Sequence, residues 1–419
     1  MVDKFLIKGG SPLSGEVEIS GYKNSAGAVL SAVLLSKEPS TIDNLPQVTD
    51  VSDQLEILRA MGAKIEWLTP KKVKIDPSEI NPENIPTELF EKMRVSVLLI
   101  GPLLARFRKC KVPHPGGDKI GLRPISTHIK ALKDFGIKVE EKNGFYYFET
   151  PENLEAKGVI LEEFSVTATE ILMMLASLTK GKTKIELAAA EPQVQDLGNF
   201  LKKMGADIEG AGNHTITIEG KKALSGAEFK ICPDPLEVGT FMIAFALTGG
   251  EGKIKNVMPG HLAMFLKKMK EIGVNFEISD NEILINPSKE FKATKIQVLP
   301  YPGFPTDLQP QISVLLTQAQ GKSLIHDPLY ENRFQHLHEL RKMGADIEIT
   351  DPYRALIFGK TELAGSKINA LDIRSGATLV LAALISKGET IIGDVSQIGR
   401  GYEKFDEKLK RLGARIEKI

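Results

Sequence analysis

Apolar and polar positions along this chain keep switching between two rhythms. A stretch with apolar residues three and four apart is followed by a glycine, then by a short stretch in which every second residue is apolar. LEILRAMGAKIE (55–66), IKALKDFGIKVE (129–140), GNFLKKMGADIE (198–209), LKKMKEIGVNFE (266–277), LHELRKMGADIE (337–348) and EKLKRLGARIEK (407–418) all follow this order. The first rhythm predicts an amphipathic helix, the glycine its C-terminus and the second rhythm a half-buried strand. The glycines Gly62, Gly136, Gly205, Gly273, Gly344 and Gly413 recur about every seventy residues, so six similar units account for the whole chain.

Each unit carries a second helical stretch that is apolar on nearly all sides. Residues 26–46, 168–188, 238–257 and 376–395 read as such a helix, a turn and an outgoing strand. A helix without a polar face must be surrounded by protein. Three of these helices inside a ring of sheets and amphipathic helices make one domain, and 419 residues are too many for one ordinary core. The pattern therefore predicts an α/β protein of two similar domains, three units in each. The turns TKGKTK and AQGKSL are not phosphate loops. Ala176 and Leu316 stand where that motif needs glycine, and the order is helix-turn-strand instead of strand-turn-helix.

Composition narrows the class. With 42% apolar and 26% charged residues and a formal charge of zero, the chain has no nucleic-acid or polybasic membrane footprint. The start, MVDKFLIKGG, lacks the apolar core of a signal peptide. The longest apolar run, 95–105, is about half a membrane span and reads as a buried helix. Two cysteines make no disulfide framework and fit a reducing cytoplasm. His336 and His338 are two apart on a predicted helix and point different ways, so no metal site is expected.

Four stretches hold candidate chemistry. PHPGGDKIGLRP places Asp118, Lys119 and Arg123 in a loop whose glycines let backbone approach a ligand. A carboxyl there can carry a proton, and the cations can hold an anion. YPGFPTDLQPQ puts Asp307 at the start of an apolar helix. EISGYKNSAGAVL puts Lys23 and Asn24 where a strand gives way to a buried helix, whose N-terminus favours anions. Arg374 and Arg400 precede small residues in the last unit, with Arg94 and Arg333 in similar settings, and arginine suits bidentate capture of carboxylate or phosphate. Each taken singly has a structural reading: a surface ion pair, a helix-start aspartate, a snorkelling lysine. Together they suit an enzyme handling a small, highly anionic substrate in a cleft between two domains.

The motifs GEVEISGYKNSA, MRVSVLLIGPLLAR, PGGDKIGLRP, SVTATE, AAAEPQVQDL, PYPGFPTDLQPQ, YENRFQHLHELRKMGA, DIRSGATLVLA and GRGYEKFDEKLKRLGA follow one another as in the UDP-N-acetylglucosamine enolpyruvyl transferases, which the chain resembles from end to end. The Asn-Ala-Gly-Thr signature of the sister family, which acts on shikimate phosphate, is missing. The resemblance implies an inside-out α/β barrel fold of six βαβαββ repeats. One domain covers 22–231 with a lid loop at about 112–124, and the second covers 1–21 and 232–419. It also implies transfer of enolpyruvyl from phosphoenolpyruvate to the 3-hydroxyl of UDP-N-acetylglucosamine, releasing phosphate, in the first committed step of peptidoglycan synthesis. A monomer is expected, acting on these two small molecules without cofactor, metal, nucleic acid or membrane.

The same resemblance implies roles. Asp307 takes the proton from the sugar hydroxyl, and Asp118 is the loop's general acid, where many relatives have cysteine. A carboxyl is a poorer nucleophile than a thiolate toward an epoxide, so insensitivity to fosfomycin is expected. Lys23, Arg123 and Arg400 clamp phosphoenolpyruvate, with Arg94 and Arg374 completing a positive cleft. Asn24 orients the sugar. Pro124, Ser126, Thr127, Ser165, Val166 and Thr167 fall where the family holds uracil and diphosphate, and Glu191 and Arg333 lie near the cleft. Ser126 and Thr127 replace the family's Asp-Leu, and Thr167 a usual glycine. Another nucleotide acceptor and a non-catalytic nucleotide-sugar binder are therefore the alternatives.

Overall fold

The computed structural model describes every residue except Met1, Val2 and Lys119. The chain forms two compact units: Met1–Ser20, Lys119–Leu122 and Pro233–Ile419 make the first, Gly21–Asp118 and Arg123–Cys232 the second. Each contains three sheets.

The strands explain why the first unit takes both ends of the chain. Phe5–Lys8 lies between Glu389–Gly393 and Arg415–Lys418, antiparallel to both. Ser14–Glu18 pairs in parallel with Glu251–Lys255. The second unit closes likewise, since Glu228–Lys230 pairs in parallel with Ser40–Asp43. Backbone hydrogen bonds thus tie sequence-distant segments inside each unit.

Five of the six sheets share one plan among the described residues. A three-stranded antiparallel core carries a short parallel strand on one edge: Glu228–Lys230, Gly158–Ile160, Ser14–Glu18, Lys295–Gln297 and Lys367–Asn369 fill that place. The sixth sheet, Lys109–Pro113, Phe145–Glu149 and Lys138–Lys142, has three strands and, among the described residues, no parallel fourth.

The apolar stretches form the cores. Lys23–Ala32, Ile100–Phe107 and Val166–Ala176 are the buried helices of the second unit, and Pro235–Thr248, Gln309–Thr317 and Ile373–Ile385 those of the first. Val29, Leu172, Phe241, Leu315 and Leu379 are each 0% exposed. The run at 95–105 departs from a single helix. Val95–Leu99 is a tighter 3-10 segment that leads into Ile100–Phe107. Pro102 has no N–H to offer the Leu98 carbonyl, so the α-helical ladder cannot extend backward through it.

The six repeat glycines all end helices in the left-handed region, with φ between 97° at Gly344 and 111° at Gly62. At Gly205 an added Cβ would meet nothing within 4 Å, so backbone conformation alone requires glycine there. Gly205→Ala is expected to cost about 1 kcal/mol through αL strain. A chemical-denaturation midpoint unchanged from the parent would contradict this.

Candidate active site

In the second unit, Lys23 stands in the first turn of the buried helix Lys23–Ala32. Its ammonium meets the Asp50 carboxylate at 2.7 Å, each side chain only 12% exposed. Asp50 stands in the first turn of Thr49–Ala60. In sequence it looks like any helix-start acid, and nothing there announces a partner for Lys23. Asn24 Nδ2 donates to the Tyr22 hydroxyl at 3.1 Å.

The loop after Lys109–Pro113 is held by backbone. Arg94 donates to the carbonyls of Arg123 and Pro124, so its guanidinium anchors the loop's end. Both glycines of PGGD are structurally required. A Cβ on Gly116 would lie 1.7 Å from the Glu91 carbonyl oxygen, and one on Gly117, at φ 119°, would lie 2.9 Å from Arg94 Cβ. Asp118 and Arg123 on either side are half-buried. Lys119 lies outside the described residues. At the loop's tip, assigned to the first unit, Leu122 N–H donates to Glu331 Oε1 at 2.6 Å and the Ile120 carbonyl accepts from Asn332 N–H at 3.2 Å.

Two helix starts meet beyond this loop: Ser126–Phe135 and Val166–Ala176, the latter capped by the Ser165 hydroxyl. Thr127 Oγ1 donates to Glu163 Oε1 at 2.8 Å, and His128 Nε2 lies 2.6 Å from Thr167 Oγ1. Pro124 and Ser126 are exposed, and Ser165 and Val166 half-buried. The sequence signalled Thr127 and Thr167; the structure adds Glu163 and His128 as their partners. Burial first, then the charges of Arg94 and Arg123, push the His128 imidazole down to about 3. Burial and then Arg333 do the same to His336, also to about 3.

Both imidazoles are therefore neutral in the folded protein at physiological pH. Between about 3 and 6.5 the unfolded chain binds the proton more readily, so each contribution falls as pH drops through that window. In ¹⁵N-imidazole NMR neither ring is expected to titrate between pH 8 and about 4.5. A midpoint near 6.5 for either would refute this burial argument.

The first unit centres on Asp307, in the 3-10 turn Thr306–Leu308 that opens Gln309–Thr317. Its carboxylate receives Arg333 at 2.7 Å on Oδ1 and Arg374 at 3.2 Å on Oδ2. The arginines are 4% and 3% exposed. Arg374 also stacks over the Tyr402 ring at 5.2 Å, and the Tyr402 hydroxyl is held by Thr240 and Gln311 at 2.9 Å each. Asp372 caps the helix that carries Arg374 through a reciprocal bond set with Ser375. Arg400 is half-buried and donates to Gln397 Oε1 at 3.1 Å.

Three buried carboxyls accompany these groups. Burial, opposed by Arg374, pushes Asp234 up to about 7. Burial, opposed chiefly by a bond from Thr306, raises Asp327. Burial and then the charge of Glu191 raise Glu170 well above the usual range. None could be singled out in sequence, because burial is a tertiary property. Among the described residues, no group of three or more His, Cys, Asp or Glu could hold a metal ion, and no helix is long and apolar enough to cross a membrane.

The first unit therefore offers an arginine-bound carboxylate, Asp307, and the second a carboxyl on a glycine-rich loop, Asp118, each among cations, groups suited to moving protons beside an anion. The sequence profile of the EPSP synthase (3-phosphoshikimate 1-carboxyvinyltransferase) family matches residues 7–409. The chain belongs to this family. Proteins named UDP-N-acetylglucosamine 1-carboxyvinyltransferase are similar over the full chain: 42% identical in Coxiella burnetii (strain RSA 493 / Nine Mile phase I), covering 100% of this chain and 96% of that protein, and 41% in Helicobacter pylori (strain ATCC 700392 / 26695), covering 100% and 99%. The crystal structure of the enolpyruvyl transferase NikO from Streptomyces tendae superposes with a TM-score of 0.90 at 25% identity, covering 100% of this chain and 99% of that one. EPSP synthase from Acinetobacter baumannii gives 0.74 at 18% identity over both full chains, a likeness of fold alone. The family's α/β architecture is thus the architecture of this chain.

Proposed function

We propose that this protein transfers the enolpyruvyl group of phosphoenolpyruvate to the 3-hydroxyl of UDP-N-acetylglucosamine and releases phosphate. The full-length similarity to relatives that all carry that one activity in their name carries the reading. The residues are compatible with it. In this reading the two compact units are the two enolpyruvyl transferase domains, and their residue sets serve one reaction.

Asp307 accepts the hydroxyl proton as the sugar oxygen bonds to C2 of phosphoenolpyruvate, while Asp118 delivers a proton to the C3 methylene. The tetrahedral adduct then returns a C3 proton to the Asp118 carboxylate and expels phosphate, restoring the double bond. Asp307 is committed to two guanidinium groups. A substrate anion that draws Arg374 away frees a carboxylate oxygen to take the proton. Lys23, Arg123 and Arg400 supply positive charge for phosphate and carboxylate, which stabilises the adduct more than the reactants. Peptidoglycan synthesis, in the cytoplasm and by a monomer, is the setting this activity implies. Two buried free cysteines agree with a reducing compartment.

Phosphate release from phosphoenolpyruvate, measured with and without UDP-N-acetylglucosamine, tests the reaction. Release only with the sugar nucleotide is expected. Ser126, Thr127 and Thr167, which depart from the family's usual residues, motivate a second reading, in which the acceptor is a different nucleotide. Faster release with another member of a nucleotide panel would replace the first reading by the second.

A further inference from the structure

Two arginines hold Asp307, and they hold it differently. Arg333 donates to Oδ1 at 2.7 Å and to the Thr306 carbonyl at 3.1 Å, so it is tied to the turn that carries Asp307. Arg374 reaches Oδ2 through Nε at 3.2 Å, longer than the ~2.7–2.9 Å of a close charge-assisted bond. A guanidinium beside a carboxylate tends to close into a two-pronged fork, which lowers the basicity of that carboxylate. A second group competes for Arg374. Its guanidinium carbon lies 5.2 Å from the centroid of the Tyr402 ring.

Tyr402 is a fixed platform. Its hydroxyl lies 2.9 Å from both Thr240 Oγ1 and Gln311 Nε2. The Thr240 hydrogen already goes to the Leu236 carbonyl at 2.8 Å, so the phenol donates to Thr240 and accepts from Gln311. Burial raises the phenol against the opposing charge of Arg374, so that proton stays in place. The ring also packs on Phe405 at 5.0 Å, and Phe405 on Phe241 at 5.7 Å. Thr240 and Phe241 stand on Pro235–Thr248, Gln311 on Gln309–Thr317 and Arg374 on Ile373–Ile385. One tyrosine is thus registered against all three buried helices of the first unit, with a guanidinium over its ring.

We propose that Tyr402 is a positioning residue for the proton acceptor: its ring holds Arg374 back from Asp307, so the carboxylate stays basic and a substrate anion can draw Arg374 off it. The ring competes with the fork through cation–π attraction, which is strong where water is excluded. The inference rests on the reading of Asp307 as the base. Asp234, Asp327, Tyr330, His336 and Asp372 are the other titratable groups acting on the two arginines, and the test leaves all of them unchanged.

The test compares Tyr402→Phe with the same position carrying pentafluorophenylalanine, introduced by nonsense suppression. The two rings have nearly the same shape, but fluorination removes the negative charge of the face. Tyr402→Phe should keep kcat/KM for phosphoenolpyruvate within about threefold of the parent's. The fluorinated ring should lower it roughly tenfold at neutral pH and move the acid limb of its pH profile down by roughly one pH unit, because a forked Asp307 binds its proton less tightly. A role in packing alone would leave that limb in place. Crystal structures of both variants add a readout independent of turnover. In the fluorinated protein Arg374 should meet Asp307 through two nitrogens within about 3 Å, and in Tyr402→Phe through Nε as in the parent. An unmoved Arg374 overturns the proposal whatever the turnover, and so does an acid limb that stays in place or rises. An inactive Asp307→Asn beside Tyr402 variants that behave like the parent refutes the role of Tyr402 and keeps Asp307 as the base. An active Asp307→Asn refutes the base itself, and the proposal falls with it.

Discussion

Asp307→Ala abolishes phosphate release while phosphoenolpyruvate still binds: this is the expected result with the largest effect. The proton acceptor disappears, which by itself costs about 10²–10⁴-fold in kcat. The same change strips Arg333 and Arg374 of their shared carboxylate. Breaking a fully buried pair costs about 3–5 kcal/mol, and the 30% exposure of the Asp307 side chain moves the expected loss to about 2–3 kcal/mol. Asp307→Asn separates the two effects, because the amide keeps the shape and one hydrogen-bond acceptor. It should fold nearer to the parent and remain inactive. Turnover above about a tenth of the parent's in Asp307→Asn would remove this residue from proton transfer.

The second large effect concerns Asp118. Asp118→Asn is expected to lose about 10²-fold or more in kcat, since an amide has no proton to deliver. Asp118→Cys should keep turnover and acquire time-dependent inactivation by fosfomycin, to which the parent should be insensitive. A Cβ on Gly116 or Gly117 would run into Glu91 or Arg94, so these two positions must stay glycine in either variant. Cys110 cannot supply the reactive thiol in the parent, because it is buried on its strand. Rapid inactivation of the parent would refute the assignment, as would a folded but inert Asp118→Cys.

The six helix-glycine-strand units were legible in sequence because each rests on local rules: period, cap and alternation. Gly62 to Gly413 all adopt the left-handed conformation that those rules require. The break at 95–99 was less legible, since it depends on where Pro102 falls within the helix. Candidate side chains were legible as residue types, and their partners were not. Asp50 beside Lys23, Glu163 beside Thr127 and Tyr402 beneath Arg374 are brought in by packing between distant segments. Arg94 illustrates the difference. Its charge alone suggests a ligand clamp, and only the structure adds that it also holds the carbonyls of Arg123 and Pro124.

The pairing of Phe5–Lys8 with Glu389–Gly393 and Arg415–Lys418 bears on how the chain is made. On the ribosome, Gly21–Cys232 emerges with most of its own strand partners and can fold during synthesis. The first twenty residues have no such opportunity. Their partners lie more than two hundred residues downstream, and the last of them is Arg415–Lys418. Ser14–Glu18 must wait for Glu251–Lys255 to be made, and Phe5–Lys8 for Glu389–Gly393 and Arg415–Lys418, each exposed meanwhile to chaperones, proteases and other nascent chains.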